Sequence, residues 1–483
     1  MKRVFISADH GTAIVYFLQS SVVEELLAAG VEVVLFTDDE MRETIEQRFG
    51  RPGLVVEGLR LDRAASYAGR VQPRLQWLLS SYLRRVGGSW RINTRAMDSH
   101  IWEVWKENSW KFRIAVWLPA ALAILLLRTF PWARRLLARL QVRFVPDPGL
   151  YEDVFAGYKP DLVVASTAGW RFDRYLLREA AAKGVKTMVA IIGWDNPSSY
   201  TLPGAPMTHA TCWSELQRKE LCLGSDWPRA RVGIGGMPSY DGYLLGKWRL
   251  PRDEYFQLHG LDPARRLISY ACSFVHFAPN LPNVEALARL VSDGSLVASS
   301  QLLVRLHPTH FQSNPAIFAE ERKRIQALSA QYPHVHVVQP VPLGGSLGYY
   351  GGEDMPEKAS MLAHSDVVVT VYSTMVVETA IHDTPIIAAV IDAPGGWNHP
   401  RKYSLPLRKI GDWPTHQRFR RSGAGRVAED EDALRDLVNL YLSDPTQDSD
   451  RRKKFVAQEI TYTDGSAGQR TAQHILDVLN ESA

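Results

Sequence analysis

The sequence predicts an α/β protein built from two doubly wound parallel sheets that face each other across a cleft. Three observations carry this: short β-branched runs alternate with helical stretches, a turn-rich passage from Gly233 to Asp262 interrupts them, and the same alternation then restarts. With 483 residues the chain is long enough for two domains with separate cores.

In order, KRVFISA reads as a strand, DHGT as a turn, IVYFLQSSVVEELLAAG as a helix stopped by glycine, and VEVVLFT as the next strand. A second series runs through PDLVVAS (160–166), a helix around DRYLLREAAAKG (173–184) and VKTMVAII (185–192). Apolar runs of this length fit strands buried on both faces. After the turn-rich passage come RRLISYACS (265–273), a helix around NVEALARLVSDG, SSQLLVRLHP (299–308), HVHVVQP, the helix PEKASMLAHS (356–365), DVVVTVYS (366–373), VVETAIHD and TPIIAAVID. The expected division is an amino-terminal domain over 1–240, a linker over 241–262, and a carboxy-terminal domain over 263–483 with a closing helix.

Hydrophobic residues at 46% and charged residues at 22% exclude a disordered chain. Three scattered cysteines make neither a disulfide framework nor a CxxC pair. The amino terminus is too briefly apolar for a signal peptide, so a cytoplasmic location is expected.

Charge is uneven. Between Arg60 and Arg143 there are sixteen Lys and Arg but four Asp and Glu, a net +12 within a chain of +4, and seven of the 14 tryptophans lie there. The uncharged run IAVWLPAALAILLL (114–127) is too short to span a bilayer and contains Pro119. Followed by FPWARRLLARLQVR, it has the composition of a basic amphipathic helical insertion at a membrane interface, with Trp117, Trp132, Arg134, Arg135 and Arg139 as contacts. A buried helix with a solvated basic face is the alternative. No recognition motif accompanies the charge, so no nucleic-acid partner is expected.

Candidate chemistry sits where strands end. Arg305 and His307 follow QLLVRL, where fixed donors can meet phosphate. Ser373 and Thr374 stand between a buried strand and a helix, and Glu378 one turn later can accept ribose hydroxyls. In the amino half Asp9 and His10 follow the first strand, and His10 suits a general base. Asp173, Asp195 and Asn196 are further candidates, and capping or structural roles compete at His307, Glu378, Asp9 and His10.

RLHP, the strand ending in ST, ETA and TPII together resemble the carboxyl half of GT-B capsule and teichoic-acid transferases of the CDP-glycerol glycerophosphotransferase kind. The usual Gly before Pro is Asp383-Thr384 here. YTDGSAGQRTAQHI (462–475) is similar to the segment that closes that half. GWDNPSSYTLPGAPMTHATCWSELQRKEL (193–221) resembles the WDN segment of polysaccharide-biosynthesis proteins, with Pro197 and Tyr200 as departures. The resemblance implies two Rossmann-like domains and an inverting, metal-independent glycosyltransferase or glycerophosphotransferase of surface polysaccharide or glycolipid synthesis at the inner membrane face. Arg305, His307, Ser373, Thr374 and Glu378 would bind a nucleotide-activated sugar or glycerol phosphate, with no further cofactor. His10, with Asp9, would act on a lipid-linked acceptor, and an anionic membrane surface would be the other partner. A nucleotide-sugar 2-epimerase and a non-catalytic binding subunit of an assembly complex are the alternatives.

Some motifs are discounted. Asp38-Asp39-Glu40 imitates a DxD metal site but stands where acids cap a helix. RVGIGGMPSYD lacks the last glycine of a dinucleotide fingerprint, and His307 with His310 lacks a third ligand. No metal is expected.

Overall fold

The computed structural model describes residues 1–70, 73–144, 149–273, 280–311, 317–391 and 407–481. Asp392, the last residue of the expected TPIIAAVID strand, lies outside them. The chain divides into two compact units. The first holds Met1–Asp241, Leu343–Tyr350 and the chain from Ile460 onward; the second holds Gly242–Pro342 and Gly351–Glu459.

In the first unit β1 (Arg3–Ser7), β2 (Glu32–Thr37), β3 (Leu54–Gly58), β4 (Leu162–Ala165), β5 (Lys186–Ala190), β6 (His209–Cys212) and β7 (Val232–Ile234) form a sheet of order β3-β2-β1-β4-β5-β6-β7. Its neighbours pair in parallel, as in β1 against β2 and β4. Phe5, Val34, Phe36, Val163 and Tyr175 pack in one buried cluster on this sheet, with the Phe5 and Phe36 rings edge to face at 4.9 Å.

The second unit opens with β8 (Arg266–Ala271), β9 (Ser300–Arg305) and β10 (Val335–Val338), after which β11 (Pro342–Gly344) and β12 (Tyr349–Tyr350) form a small ribbon in the return assigned to the first unit. Then come β13 (Val367–Thr370), β14 (Ile386–Ala389) and β15 (Arg426–Ala428), giving the order β10-β9-β8-β13-β14-β15. Both sheets start in the middle, grow outward, reverse, and grow the other way. That is the doubly wound topology expected from the alternating runs.

The division differs from the sequence expectation at the carboxyl end. The closing helix Ala467–Asn480 belongs to the first unit, because Asp241 caps it: its Oδ1 and Oδ2 accept from Ala467 N (3.0 Å) and Gly468 N (2.8 Å). At the other end Lys186 Nζ donates to Val478 O at 2.9 Å, placing a cation at the helix's negative pole. Such pairings across more than two hundred residues leave no local mark in the sequence.

The short return at Leu343–Tyr350 is held equally firmly. Asp38 Oδ2 accepts from Ser346 Oγ (2.7 Å) and Leu347 N (2.9 Å), and Asp39 accepts from Arg60 N (3.0 Å) and Leu61 N (2.8 Å). Asp38 and Asp39, two of the three acids of the imitation DxD motif, are thus committed to backbone and hydroxyl donors. Asp383 occupies a left-handed conformation, φ +56°, which explains why glycine suits that position, and it is anchored by Arg452 Nε at 2.8 Å.

Between β3 and β4 the described chain is helical, including Leu61–Arg70, Arg95–Glu107, Trp110–Thr129 and Pro131–Phe144. No helix among the described residues is long and apolar enough to cross a membrane.

Tyr349 is the pin of the 343–350 return: its buried hydroxyl donates to Ala8 O (2.6 Å) and accepts from Asp38 N (2.9 Å). Tyr349→Phe leaves both backbone groups unpaired and is expected to destabilise the first unit by about 1–3 kcal/mol per group, read from urea denaturation.

Candidate functional site

In the second unit the candidates lie where β9 and β13 end. Arg305 does not serve as expected. It is buried, its Nη2 hydrogen-bonds Asp354, and its Nε lies 3.1 Å from Glu357, both on the helix Asp354–His364. Two carboxylates occupy this guanidinium, so it ties β9 to that helix and is unavailable as a phosphate anchor. Burial raises the pKa of Glu357.

His307 is held by its own loop. Its Nδ1 accepts from Thr309 N (3.1 Å) and lies 2.8 Å from Thr309 Oγ1. Burial, with the neighbouring His310, Arg305 and Lys358, lowers its pKa to about 3, so the ring is neutral. His310 is structural: Nδ1 accepts from His307 N (3.0 Å) and Nε2 meets Glu321 at 2.9 Å. Glu321 also accepts from Asn280 N (2.7 Å) and Leu281 N (3.2 Å), which ties this loop to the helix Leu281–Leu290.

After β13, Ser373 Oγ accepts from Met375 N (3.2 Å) and lies 3.3 Å from Thr370 Oγ1. Met375 opens the helix Met375–Ile381, so one of the amides expected to meet phosphate is already taken. Glu378 is buried, and its Oε2 receives Tyr243 Oη (2.7 Å) and Lys358 Nζ (2.8 Å). Tyr243 and Lys358 were not singled out by sequence. A lysine inside PEKASMLAHS reads as an ordinary exposed helix position, and only the fold brings it to Glu378.

The first unit gathers its own candidates where β1, β4 and β5 end. Asp9 is wholly buried: Oδ2 accepts from Asp173 N (2.8 Å), at the start of the helix Asp173–Ala182, and Oδ1 lies 3.3 Å from Arg171 Nε. Asp173 accepts from Thr167 N (3.1 Å) and Thr167 Oγ1 (2.7 Å). Burial raises the pKa of both, and for Asp173 the adjacent Asp9 adds to it. These carboxyls hold loops together. Asp195 and Asn196 shape the WDN turn: Asn196 Oδ1 accepts from Gly193 N (2.7 Å), Asp195 O accepts from Ser199 N (2.8 Å), and Gln217 Nε2 braces Trp194 O at 3.0 Å.

His10 lies beside these residues, with the Trp170 ring at 6.4 Å and Trp170 stacked on Tyr200 at 4.3 Å. Its Nδ1 lies 3.3 Å from Thr12 N and 2.9 Å from Thr12 Oγ1. Burial and Arg171 lower its pKa to about 3. A ring that binds a proton this weakly is a poor general base at neutral pH.

The membrane-interface candidates separate into two groups. Arg134 is buried, with Nε 2.5 Å from Asp226, and so is no membrane contact. Trp117 and Trp132 are each 54% exposed, and Arg135 and Arg139 are exposed too. The helix Trp110–Thr129 packs Ile124 and Leu127 against Leu79, Tyr82 and Leu137, while Trp117, Leu118, Leu122 and Leu125 remain exposed. It is apolar on both sides but covered on one.

Residues 295–477 match the family model of CDP-Glycerol:Poly(glycerophosphate) glycerophosphotransferase. No curated protein matches the chain. Among solved structures, the UDP-GlcNAc 2-epimerase from Neisseria meningitidis bound to UDP-GlcNAc superposes with a TM-score of 0.53 at 12% identity, covering 99% of this chain and 100% of its own. S. aureus MnaA with UDP gives 0.54 at 11% identity (100% and 99%), and a glycosyltransferase from Rickettsia africae gives 0.51 at 10% (100% and 99%). These similarities establish the GT-B-type fold with its two Rossmann-like domains.

Arg305→Met tests the reassignment of that residue. It strands Asp354 and Glu357 as buried carboxyls, so the second unit should lose about 3–5 kcal/mol in chemical denaturation, where a solvent-facing phosphate ligand would cost little.

Proposed function

We propose that the chain is an inverting, metal-independent transferase that moves a glycosyl or glycerophosphoryl group from a nucleotide-activated donor to a lipid-linked acceptor. It would act in surface polysaccharide or glycolipid synthesis, at the inner face of the cytoplasmic membrane. The observation that carries this reading is the glycerophosphotransferase match over 295–477, which contains His307, Lys358, Ser373, Thr374 and Glu378. His307 and Lys358 supply a neutral donor and a cation for the donor's phosphates, and Glu378 the ribose contact. Such transfers depend on positioning and on stabilising the charge that develops on the leaving group, which preorganised donors provide. The UDP-bound neighbours support a nucleotide ligand for this fold.

The half-covered helix supports the membrane part. Its exposed apolar side continues through Phe130 into Trp132, Leu136 and Phe144 on Pro131–Phe144, with exposed Lys111, Arg135, Arg139 and Arg143 along the same two helices. Apolar and aromatic groups edged by cations match an anionic lipid surface. An enzyme converting a soluble nucleotide sugar has no use for that face.

Isothermal titration with CDP and UDP tests the donor site. His307→Ala and Lys358→Ala should each weaken the better-bound nucleotide about tenfold or more, and unchanged affinity in both removes the site. Sedimentation with anionic vesicles tests the surface. Binding at low salt should fall with added salt and fall further in Arg135→Glu/Arg139→Glu, and a wild-type protein that ignores such vesicles contradicts the membrane reading.

A further inference from the structure

Two helical pieces of the first unit bring four arginines together. Arg84 and Arg85 lie on the helical segment 78–86, and Arg174 and Arg178, one turn apart on one face, lie on the helix Asp173–Ala182. Ser80 joins the two pieces: its carbonyl accepts from Arg84 Nε at 3.0 Å and its Oγ from Arg178 Nη2 at 3.2 Å. Arg84 is buried, and its Nη1 donates to Leu202 O (2.9 Å) and Tyr200 O (3.2 Å). Carbonyl oxygens satisfy its N–H groups but cancel none of its charge.

Arg85 and Arg174 are half-buried beside it. Arg85 Nε, with Arg174 Nε and Nη1, is buried and meets no hydrogen-bond partner among the described residues. Each guanidinium lies against a ring instead, Arg85 over Tyr200 at 5.0 Å and Arg174 over Tyr175 at 5.4 Å, and Tyr200 is itself stacked on Trp170 at 4.3 Å. The carboxylates whose charge reaches these arginines, Asp9 for Arg174 and Asp173 for Arg84, already accept backbone N–H groups, and Asp9 also faces Arg171 at 3.3 Å. Burial, with Arg174 and Arg85 alongside, lowers the pKa of Arg84 to about 9. Cations gathered out of water without matching anions cost stability, so a chain that keeps them gains elsewhere.

We infer that Arg85 and Arg174 form a binding site for a phosphoryl group, their planar forks each matching two of its oxygens. Several cations around one place favour a dianion over a single carboxylate. The segment 78–86 also packs Leu79, Tyr82 and Leu83 against Ile124, Leu127 and Leu137, on the two helices that carry the exposed apolar face. A phosphoryl group at Arg85 therefore has, one helix away, an apolar surface for an attached chain. That its source is the lipid-linked acceptor rests on the function proposed above; the anion site does not.

The test is hydrogen–deuterium exchange of the full chain titrated with inorganic pyrophosphate or with octyl phosphate below its micelle concentration. At least one of them should slow exchange in 78–86 and 170–178. The affinity read from those peptides should fall at least tenfold in Arg85→Gln/Arg174→Gln and stay at the wild-type value in Lys358→Ala, which lies in the second unit. Octyl phosphate held more tightly than pyrophosphate supports a phosphate that carries an apolar chain; the reverse assigns the site to a free phosphate and overturns the lipid source. Because the double substitution relieves like-charge repulsion, its thermal midpoint should stay level or rise, whereas a structural role would lower it by several degrees. Protection by neither compound, protection that the double variant retains, or a midpoint that falls overturns the inference. Should the site behave as expected while neither CDP nor UDP binds, the transferase reading falls and the anion site stands.

Discussion

A parallel strand that ends in a loop gives up its ladder partners, and the N–H groups just beyond it need acceptors that water cannot reach. In this protein carboxylate side chains supply them there and at helix starts. Asp9 takes Asp173 N, Asp173 takes Thr167 N and Glu321 takes Asn280 N and Leu281 N, all three acids buried, while the half-buried Asp241 takes Ala467 N and Gly468 N where the closing helix begins. This carboxylate bracing ties the loops of the doubly wound sheets to the helices that follow them. An unpaired buried polar group costs about 1–3 kcal/mol, so each brace is also a stability requirement.

That constraint decides which polar residues remain for chemistry. Arg305 is spent on Asp354 and Glu357, and Arg134 on Asp226. Asp9 and Asp173 are spent on backbone. What the second unit keeps is a neutral histidine, a lysine beside Glu378, and two hydroxyl residues where β13 ends. A set of this kind suits phosphate recognition better than proton abstraction, because its donors are fixed and its histidine is held in one protonation state.

The sheets were legible from sequence because strands buried on both faces need uninterrupted apolar runs such as VEVVLFT and DVVVTVYS, and little else in a soluble chain produces them. The placement of His10, His307 and Ser373 was legible too, since each stands two or three residues beyond a strand end. Their roles were not. Asp at a strand end reads equally as catalyst or cap, and the choice depends on partners such as Asp173 N for Asp9, 164 residues away. The same holds for Arg134, whose place among exposed arginines gives no sign of Asp226, and for the closing helix, which Asp241 recruits to the first unit.

The central claim is that a nucleotide binds where β9 and β13 end. Hydrogen–deuterium exchange with and without saturating CDP or UDP measures this directly, because a bound ligand slows exchange of the loops it orders. Slowed exchange in peptides covering 305–311 and 370–378, with 110–144 unchanged, is the expected result. Binding without protection in those two loops, or with protection confined to other segments, would contradict it.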